Sequence, residues 1–150
     1  MSATIDHARI AALIPHAGTM CLLDSVLHWD GTGIRCSARN HHDPANPLRG
    51  PQGLGMLAGI EYCAQAMAVH GALLAEAVGE RLAPGYLAAV RGVRLQGERL
   101  DTVPGPLLAE ARRLMGQGGL LMYEVTLYDG DERLLLEGRI TVAERGGETA

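Results

Sequence analysis

The chain has 150 residues, of which 47% are hydrophobic and 20% charged, with a formal net charge of −4. This balance is typical of one folded domain rather than of a disordered chain, and the few aromatic residues (3%) and the negative charge disfavour nucleic-acid binding. All 13 basic residues are arginine, so Schiff-base chemistry, pyridoxal phosphate attachment and a P-loop lysine are excluded.

The cysteine pattern and the apolar segments bear on location. Three widely spaced cysteines favour neither a disulfide framework nor a structural zinc site, and we predict no metal. The N-terminus lacks the basic and apolar regions of a signal peptide. The longest apolar region is interrupted by polar residues, which argues against a membrane span. We therefore expect a cytoplasmic protein.

The first part of the chain predicts a short helix and a β-hairpin. An apolar-periodic run that begins near Asp6 predicts a helix within residues 2–13. Residues 20–29 and 34–39 predict two strands, and the Gly-Thr-Gly between them predicts a tight turn.

A long helix is predicted in the middle of the chain. Residues 40–53 contain three prolines and adjacent histidines and predict an irregular loop. Residues 54–78 are dominated by Ala and Leu, lack proline and are apolar nearly all round, which is typical of a helix buried on most sides. Four further strands are predicted as an antiparallel meander, over 86–96, 106–114, 119–127 and 133–143.

These elements predict an α+β fold of one domain, residues 1–150. A curled antiparallel sheet of about six strands wrapped round one central helix satisfies the pattern. A partner subunit would cover the rest of the helix, and pairing with it would remove an exposed sheet edge. Residues 144–150 are expected to form a frayed tail.

Glu61, the one acid in the interior of the predicted helix, is the first candidate for chemistry. Its sequence neighbours are apolar or neutral, and a carboxyl buried there could hold or give a proton near neutrality. Gln65 lies one turn further on, so the two side chains share a face. The alternative is that Glu61 points to solvent through a gap.

The histidines divide by geometry. His70 follows Glu61 by nine residues, which places it on the opposite helix face as a core or interface residue. His41 and His42 lie in the proline-rich loop and could fold back over the first turns of the helix. His16 could also reach this region. The run His41, His42 and Asp43 could suggest a metal site, but adjacent residues rarely converge on one metal ion, so we do not predict one there.

The glycines Gly53 and Gly55 flank the predicted start of the helix. Free backbone N–H groups and the helix dipole favour developing negative charge there. A thioester carbonyl at this point would be polarised, which helps removal of a proton from its α-carbon and so β-elimination of water. The alternative is plain loop flexibility.

Several segments resemble a known family. Residues 14–16 (Ile-Pro-His) and 20–27 (MCLLDSVL) resemble the "PH…LLxDxVL" opening of hotdog-fold 3-hydroxyacyl-carrier-protein dehydratases. Residues 61–65 (EYCAQ) are similar to the E-x-x-A-Q helix motif of that family. Closer still, residues 43–49 together with 59–71 look like the ApeP-type dehydratases of aryl polyene pathways.

The resemblance implies a hotdog dimer that dehydrates a 3-hydroxyacyl chain carried on phosphopantetheine, with no other cofactor. A histidine would remove the α-proton, and the helix acid, Glu61, would act on the departing hydroxyl. The family's histidine would fall at Pro47, so we predict His42 as the base, with His41 and His16 as substitutes. Residues predicted to contact the substrate are His16, Asn46, Gly55 and Gln65.

Three functions remain open at this point. The chain is a dehydratase, or a non-catalytic hotdog subunit that stabilises a related partner, or, third, a thioesterase in which Glu61 activates water. The resemblance implies pairing as a homodimer or a heterodimer. It also implies an acidic acyl carrier protein as partner, which requires a local basic patch. Arg49, Arg91 and Arg94 are the candidates, and the alternative is that they are scattered surface arginines.

Overall fold

One antiparallel sheet and one long helix make up most of the fold. The computed structural model describes residues 4–14, 20–81, 85–117 and 119–144. In chain order the elements are β1 (Ile5–Asp6), α1 (His7–Leu13), β2 (Ser25–Trp29), β3 (Gly33–Ala38), α2 (Gly59–Ala77), β4 (Gly85–Leu95), β5 (Leu107–Gln117), β6 (Leu120–Tyr128) and β7 (Leu134–Glu144). The predicted α+β hotdog architecture is confirmed, with β1 as a seventh strand that was too short to be recognised in the sequence.

The strand order in the sheet is β1-β2-β3-β5-β6-β7-β4, and all neighbours are antiparallel. The predicted meander is correct for β5, β6 and β7. It is wrong for β4, which lies at the edge of the sheet beyond β7. The two strands pair with Val90 opposite Ile140. The reason is that α2 separates β3 from β4, so the chain can cross the sheet before β4 begins.

Alternation along the strands gives the sheet an apolar inner face and a polar outer face. In β6, Tyr123, Val125 and Leu127 are fully buried, whereas Glu124 on the other face is exposed. The β2–β3 turn forms as predicted, because the Asp30 carboxylate accepts hydrogen bonds from backbone N–H groups in the turn. The sheet therefore packs its inner face against α2.

Helix α2 begins later than the sequence predicts. Leu54 accepts a hydrogen bond from the N–H of Leu100, and Met56 donates one to the carbonyl of Glu98, so this segment is tied to a neighbouring loop. A 3₁₀ turn, Met56–Ala58, then leads into α2. At Gly59 the helix and the sheet are so close that a Cβ atom would lie 2.7 Å from the Leu127 side chain.

The helix and the first hairpin strand of the N-terminal region are also shorter than predicted. The Asp6 carboxylate caps α1 by accepting a hydrogen bond from the N–H of Arg9, which sets the helix start at His7. Strand β2 begins at Ser25 rather than at Met20. The predicted frayed tail overlaps β7 at Glu144, and residues 145–150 lie outside the described residues.

The described residues leave two surfaces of this fold uncovered. Helix α2 is buried on most sides, as predicted, but Glu61, Ala64 and Ala68 form a partly exposed stripe. Strand β4 has one open edge and is exposed along most of its length. Among the described helices, none is long and apolar enough to cross a membrane.

Candidate functional site

An open groove of about 710 Å³ lies along the exposed stripe of α2. Helix α1 provides one wall, and β4, β6 and β7 provide the other. The larger apolar side chains that line the groove are Leu13, Ile14, Met67, Leu87, Leu121 and Val142. Glu61 lies at the end where α2 begins. Charged residues line the end where α2 finishes, and they are Arg9, Glu76, Glu80, Arg81 and Glu144.

Glu61 faces this groove from the first turn of α2 and is partly exposed. Within the described ranges, its carboxylate has no hydrogen-bond or ion-pair partner. A carboxyl group that is not held by a cation is free to give or take a proton from a ligand in the groove. The predicted catalytic acid is therefore accessible. Its side chain borders the groove and does not point only to bulk solvent.

Beneath the groove, a chain of polar side chains joins α2 to the sheet. His70 is fully buried, as predicted, and its Nε2 donates to the Asp30 carbonyl at 2.8 Å. Its Nδ1 therefore accepts from the Tyr123 hydroxyl at 2.5 Å, and Arg113 donates to the same hydroxyl oxygen at 3.2 Å. Burial lowers the pKa of His70 and raises that of Tyr123.

Tyr123 borders the groove that Glu61 lines, and the sequence analysis did not single it out. The alternation of residues along β6 is the sequence signal that could have identified Tyr123 as facing inward.

Gln65, which shares a face with Glu61, anchors the segment that precedes β2. Its amide nitrogen donates to the Met20 carbonyl at 2.6 Å, and its amide oxygen accepts from the N–H of Leu22 at 2.8 Å. Gln65 is buried, and both ends of its amide are engaged within the chain. A contact of Gln65 with substrate stays a prediction. His16 lies outside the described residues.

The two loop histidines lie in a 3₁₀ turn, Asn40–His42, away from the groove lining. The Nε2 atoms of His41 and His42 both lie within hydrogen-bond distance of the Val103 carbonyl, at 3.0 and 2.5 Å. Burial lowers the pKa of His41. Among the described residues that line the groove, none is a histidine. The structure thus does not bring His42 to the groove that Glu61 lines.

Asn46 holds the same loop onto α2. Its amide nitrogen donates to the Tyr62 hydroxyl and to the Asn40 carbonyl, each at 3.0 Å, and Tyr62 in turn donates to the Asn40 side chain at 2.8 Å. Burial raises the pKa of Tyr62 to about 12, so its hydroxyl stays protonated and can donate. Asn46 is itself buried, and this network fixes the loop that contains His41 and His42.

The glycines before α2 line a separate surface depression of about 570 Å³. Gly55 precedes the 3₁₀ turn, and Gly53 has a φ of +96°, where a Cβ atom would lie 2.5 Å from the Asp101 carboxylate. Two of the N–H groups near this turn are occupied, because Met56 donates to Glu98 and Ala58 donates to Gly55. Gly55 and Glu61 therefore border different depressions of this chain.

The predicted arginines differ in their surroundings. Arg49 lies 3.4 Å from Asp101, which Arg99 also binds at 2.7 Å, and these hydrogen bonds from Arg99 lower the pKa of Asp101 to about 2. Arg49 is thus part of an internal ion-pair cluster, although its Nη1 is buried without a partner in the described residues.

Arg91 and Arg94 lie on β4 and line an outer depression together with Arg139 of β7. Two glutamates, Glu124 and Glu137, also line it. Arg91 is directly opposite Arg139 in the sheet, an unfavourable pairing of like charges. Within the described residues these three arginines form no ion pair, whereas the neighbouring Arg112 pairs with Glu124. Arg139 was missed in the sequence analysis because only the strand register brings it to Arg91.

No group of three or more His, Cys, Asp or Glu side chains that could hold a metal ion occurs in the described ranges. The cysteines Cys21, Cys36 and Cys63 are buried and free. Burial raises the pKa of Cys63 to about 12, so this thiol is not a ready nucleophile.

Solved structures of similar fold include a dehydratase heterocomplex. The heterocomplex ApeI:P from Xenorhabdus doucetiae matches with a TM-score of 0.79 and 22% identity, over 90% of each chain. A thioesterase from Pseudomonas aeruginosa matches with a TM-score of 0.58 and 15% identity, over 92% of each chain. A hypothetical thioesterase with coenzyme A from Streptococcus pneumoniae has a TM-score of 0.55 and 9% identity, over 79% of this chain and 83% of that one. At these identities the matches establish the fold.

A curated relative is similar in part. The protein named tyrosine–tRNA ligase from Kineococcus radiotolerans is 37% identical, over 61% of this chain and 24% of that protein. The chain thus spans about a quarter of the length of that relative.

The family comparison covers nearly the whole chain. Residues 8–149 match the ApeP-like family, whose description is ApeP dehydratase. This range includes α2 with Glu61, both walls of the groove and the entire sheet except β1. On this match, the chain belongs to the ApeP-like dehydratase family.

Proposed function

We propose that this chain dehydrates a 3-hydroxyacyl thioester carried on the phosphopantetheine of an acyl carrier protein, giving the 2-enoyl thioester. The observation that carries the proposal is Glu61, a carboxyl group without a partner among the described residues, at one end of an apolar groove in a member of a dehydratase family. The thioester would lie near Glu61, and the acyl chain would extend along α2.

The reaction needs a base and an acid. The base removes a proton from the α-carbon, the electron pair forms the new carbon–carbon double bond, and the bond from C3 to the hydroxyl oxygen breaks. Protonated Glu61 gives its proton to the departing oxygen, so that water leaves. The proton taken by the base later returns to Glu61 through solvent. His42 and His16 remain the proposed bases within this chain, but His42 does not line the groove of its own chain and would have to move to act there.

A hotdog partner is part of the proposal. The Xenorhabdus relative is a heterocomplex, and β4 of this chain is an open, largely exposed edge strand that a second subunit can extend. Pairing there would bring a partner surface next to Tyr86 and Leu87, which border the groove. A partner could therefore supply groups to the Glu61 groove.

The carrier protein is proposed to bind at Arg91, Arg94 and Arg139. An acidic surface there would relieve the repulsion between Arg91 and Arg139 and would find three guanidinium groups that have no ion pair among the described residues. Arg49 is a weaker candidate because its charge is already balanced in part by Asp101.

A second candidate function, a non-catalytic subunit, is favoured by one specific observation. None of the described residues that line the groove is a histidine. In that case this chain would stabilise a catalytic hotdog partner, and Glu61 would have no base beside it. A thioesterase is the third candidate, because several structures of similar fold are thioesterases.

One assay separates the three candidates. A 3-hydroxyacyl carrier-protein thioester is incubated with the chain alone and with a co-expressed hotdog partner, and enoyl absorbance and free thiol are both recorded. A dehydratase produces enoyl absorbance without thiol, and a thioesterase releases thiol. An accessory subunit is inactive alone and raises the activity of its partner.

The same assay identifies the base. We expect His42→Ala or His16→Ala to lower the rate by about a hundredfold or more if that residue is the base. Full activity in both variants would exclude a base from these two positions and would direct the search to the partner subunit. His28→Ala, a change in an exposed histidine of β2, serves as the control.

A further inference from the structure

We propose that the groove sets the length of the acyl chain, with the alanines Ala64, Ala68 and Ala72 as its floor and the ion pair between Arg9 and Glu76 as its end. This inference rests on the proposed function, because it takes Glu61 as the position of the reacting carbons. It adds the residues that select among substrates.

The floor of the groove is open because its residues are small. Ala64, Ala68 and Ala72 follow Glu61 at intervals of three or four residues, so their side chains lie in one row on the same face of α2. A larger side chain in this row would project into the groove. On the other faces of α2, bulkier residues such as Tyr62 and Val69 are buried against the sheet and the loops.

The walls are suited to a hydrocarbon chain. Leu13 of α1 and the following Ile14 lie on one side, and Leu87, Leu121 and Val142 of the sheet lie on the other. An apolar channel with polar groups at its ends is the arrangement that binds an amphiphile with a reactive head group and a long apolar tail.

The far end is bordered by charged side chains. Arg9 of α1 forms an ion pair with Glu76 of α2, and Glu80, Arg81 and Glu144 border the groove beside them. A methylene chain that reached these groups would displace their water without replacing its hydrogen bonds, which is unfavourable.

The dimensions give a chain length. At 1.5 Å per residue, Ala72 lies about 16 Å from Glu61 along the helix. A zigzag of 1.5 Å carbon–carbon bonds advances about 1.25 Å per bond, so the floor accommodates roughly a dozen carbons beyond the reacting centre. Glu76 lies one turn further, about 22 Å from Glu61, so chains that extend roughly eighteen carbons beyond the reacting centre meet the Arg9–Glu76 pair.

The experiment compares chain-length profiles of kcat/KM. Substrates are 3-hydroxyacyl carrier-protein thioesters of about four to about twenty-four carbons, and the wild-type protein is assayed with its partner. Ala68→Leu is expected to reduce kcat/KM for the longest accepted chains by about tenfold or more and to leave the shortest unchanged. Arg9→Ala combined with Glu76→Ala is expected to move the upper limit to longer chains.

The matched control is Arg112→Ala, which removes another exposed arginine–glutamate pair, with Glu124, on the outer face of the sheet. It should leave the profile unchanged. An unchanged profile in both Ala68→Leu and the Arg9/Glu76 variant, with wild-type activity retained, would overturn the inference. Circular dichroism checks that each variant folds.

Binding separates this inference from the proposed function. Saturated acyl pantetheine thioesters cannot be dehydrated, and calorimetry measures their affinity for the chain in complex with its partner. If turnover is absent but Ala68→Leu weakens only the long ligands, the groove is an acyl site and the proposed reaction is wrong. If ligand affinity is independent of chain length in both the wild-type complex and the Ala68→Leu complex, the inference fails.

Discussion

The acidic residues of this chain differ in whether their carboxylates form an ion pair with an arginine. Hydrogen bonds from Arg99 lower the pKa of Asp101 to about 2, so Asp101 is locked as a carboxylate at neutral pH. Glu61 has no such partner within the described residues, although it lies in the first turn of α2, where the helix dipole favours negative charge. A group that must give a proton and regain it needs this freedom. Because Glu61 also lines the groove, it is the acid that we propose for the chemistry.

His70 gives a prediction for pH dependence. Burial lowers its pKa below the value of 6.5 for a free histidine, and the neutral ring accepts from Tyr123 and donates to the Asp30 carbonyl. Since the unfolded chain binds the proton more readily, this contribution to stability is present above about pH 6.5 and is lost as the pH falls through the lower folded-state pKa. We expect the Tm to decrease on acidification from pH 7 to pH 5.

The variant His70→Gln isolates this effect, because glutamine can donate and accept but does not titrate in this range. It should have a lower Tm at pH 7 and a smaller further decrease at pH 5. Parallel Tm curves for the two proteins would show that His70 does not titrate in the unfolding transition. His41, whose pKa burial also lowers, contributes equally to both curves.

At the scale of elements, β4 is the part of the sheet that most needs a partner. Among the described strands it pairs only with β7, and large apolar side chains on it are exposed, including Val90 at 36% and Leu95 at 42%. Long apolar edge strands are sites of association unless they are covered. The structure of β4 is thus consistent with a chain that functions as one half of a hotdog pair.

We predict that Val90→Glu weakens pairing with the partner subunit. A carboxylate at the centre of β4 would be desolvated on association, which is costly without a cation beside it. Light scattering on the co-purified complex should show dissociation at concentrations where the wild-type complex is intact. Leu114→Glu, on β5 inside the sheet and 42% exposed, is the matched control. Equal behaviour of the two variants would place the interface elsewhere.

The long helix and the strand positions were predictable because local patterns determine them. Periodicity located α2 and placed Glu61 and His70 on different faces, and turn residues such as Asp30 marked the hairpin. The position of β4 was not predictable, since it depends on how the chain crosses the sheet. Similarly, Arg139 meets Arg91 only through the register of β4 and β7.

The positions of His41 and His42 could not be predicted from the sequence either. Residues 40–53 have no regular period, and the partner of His41 and His42, the Val103 carbonyl, lies some sixty residues further along the chain. Spacing from Glu61 could not reveal that contact. The network of Asn40, Asn46 and Tyr62 that fixes the loop is likewise formed only in three dimensions.

At the scale of the whole molecule, the surfaces divide the proposed work. We propose that the inner groove between α1, α2 and the sheet holds the acyl chain, that the β4 edge receives a second hotdog subunit, and that the outer arginines receive the carrier protein. The groove and the β4 edge adjoin at Tyr86 and Leu87, so association and catalysis are expected to be coupled.

The most direct test of this account is the mass of the carrier-bound product formed by the wild-type complex and by its Glu61→Gln variant. Glutamine preserves the shape of the side chain but cannot give a proton to the departing hydroxyl. We predict that the wild type converts the 3-hydroxyacyl chain to a product lighter by one water. We expect Glu61→Gln to be slower by about a hundredfold or more, with an unchanged fold and unchanged pairing. Glu80→Gln, at the opposite end of the groove, should retain activity on short chains. Loss of water at the wild-type rate in Glu61→Gln would contradict the account.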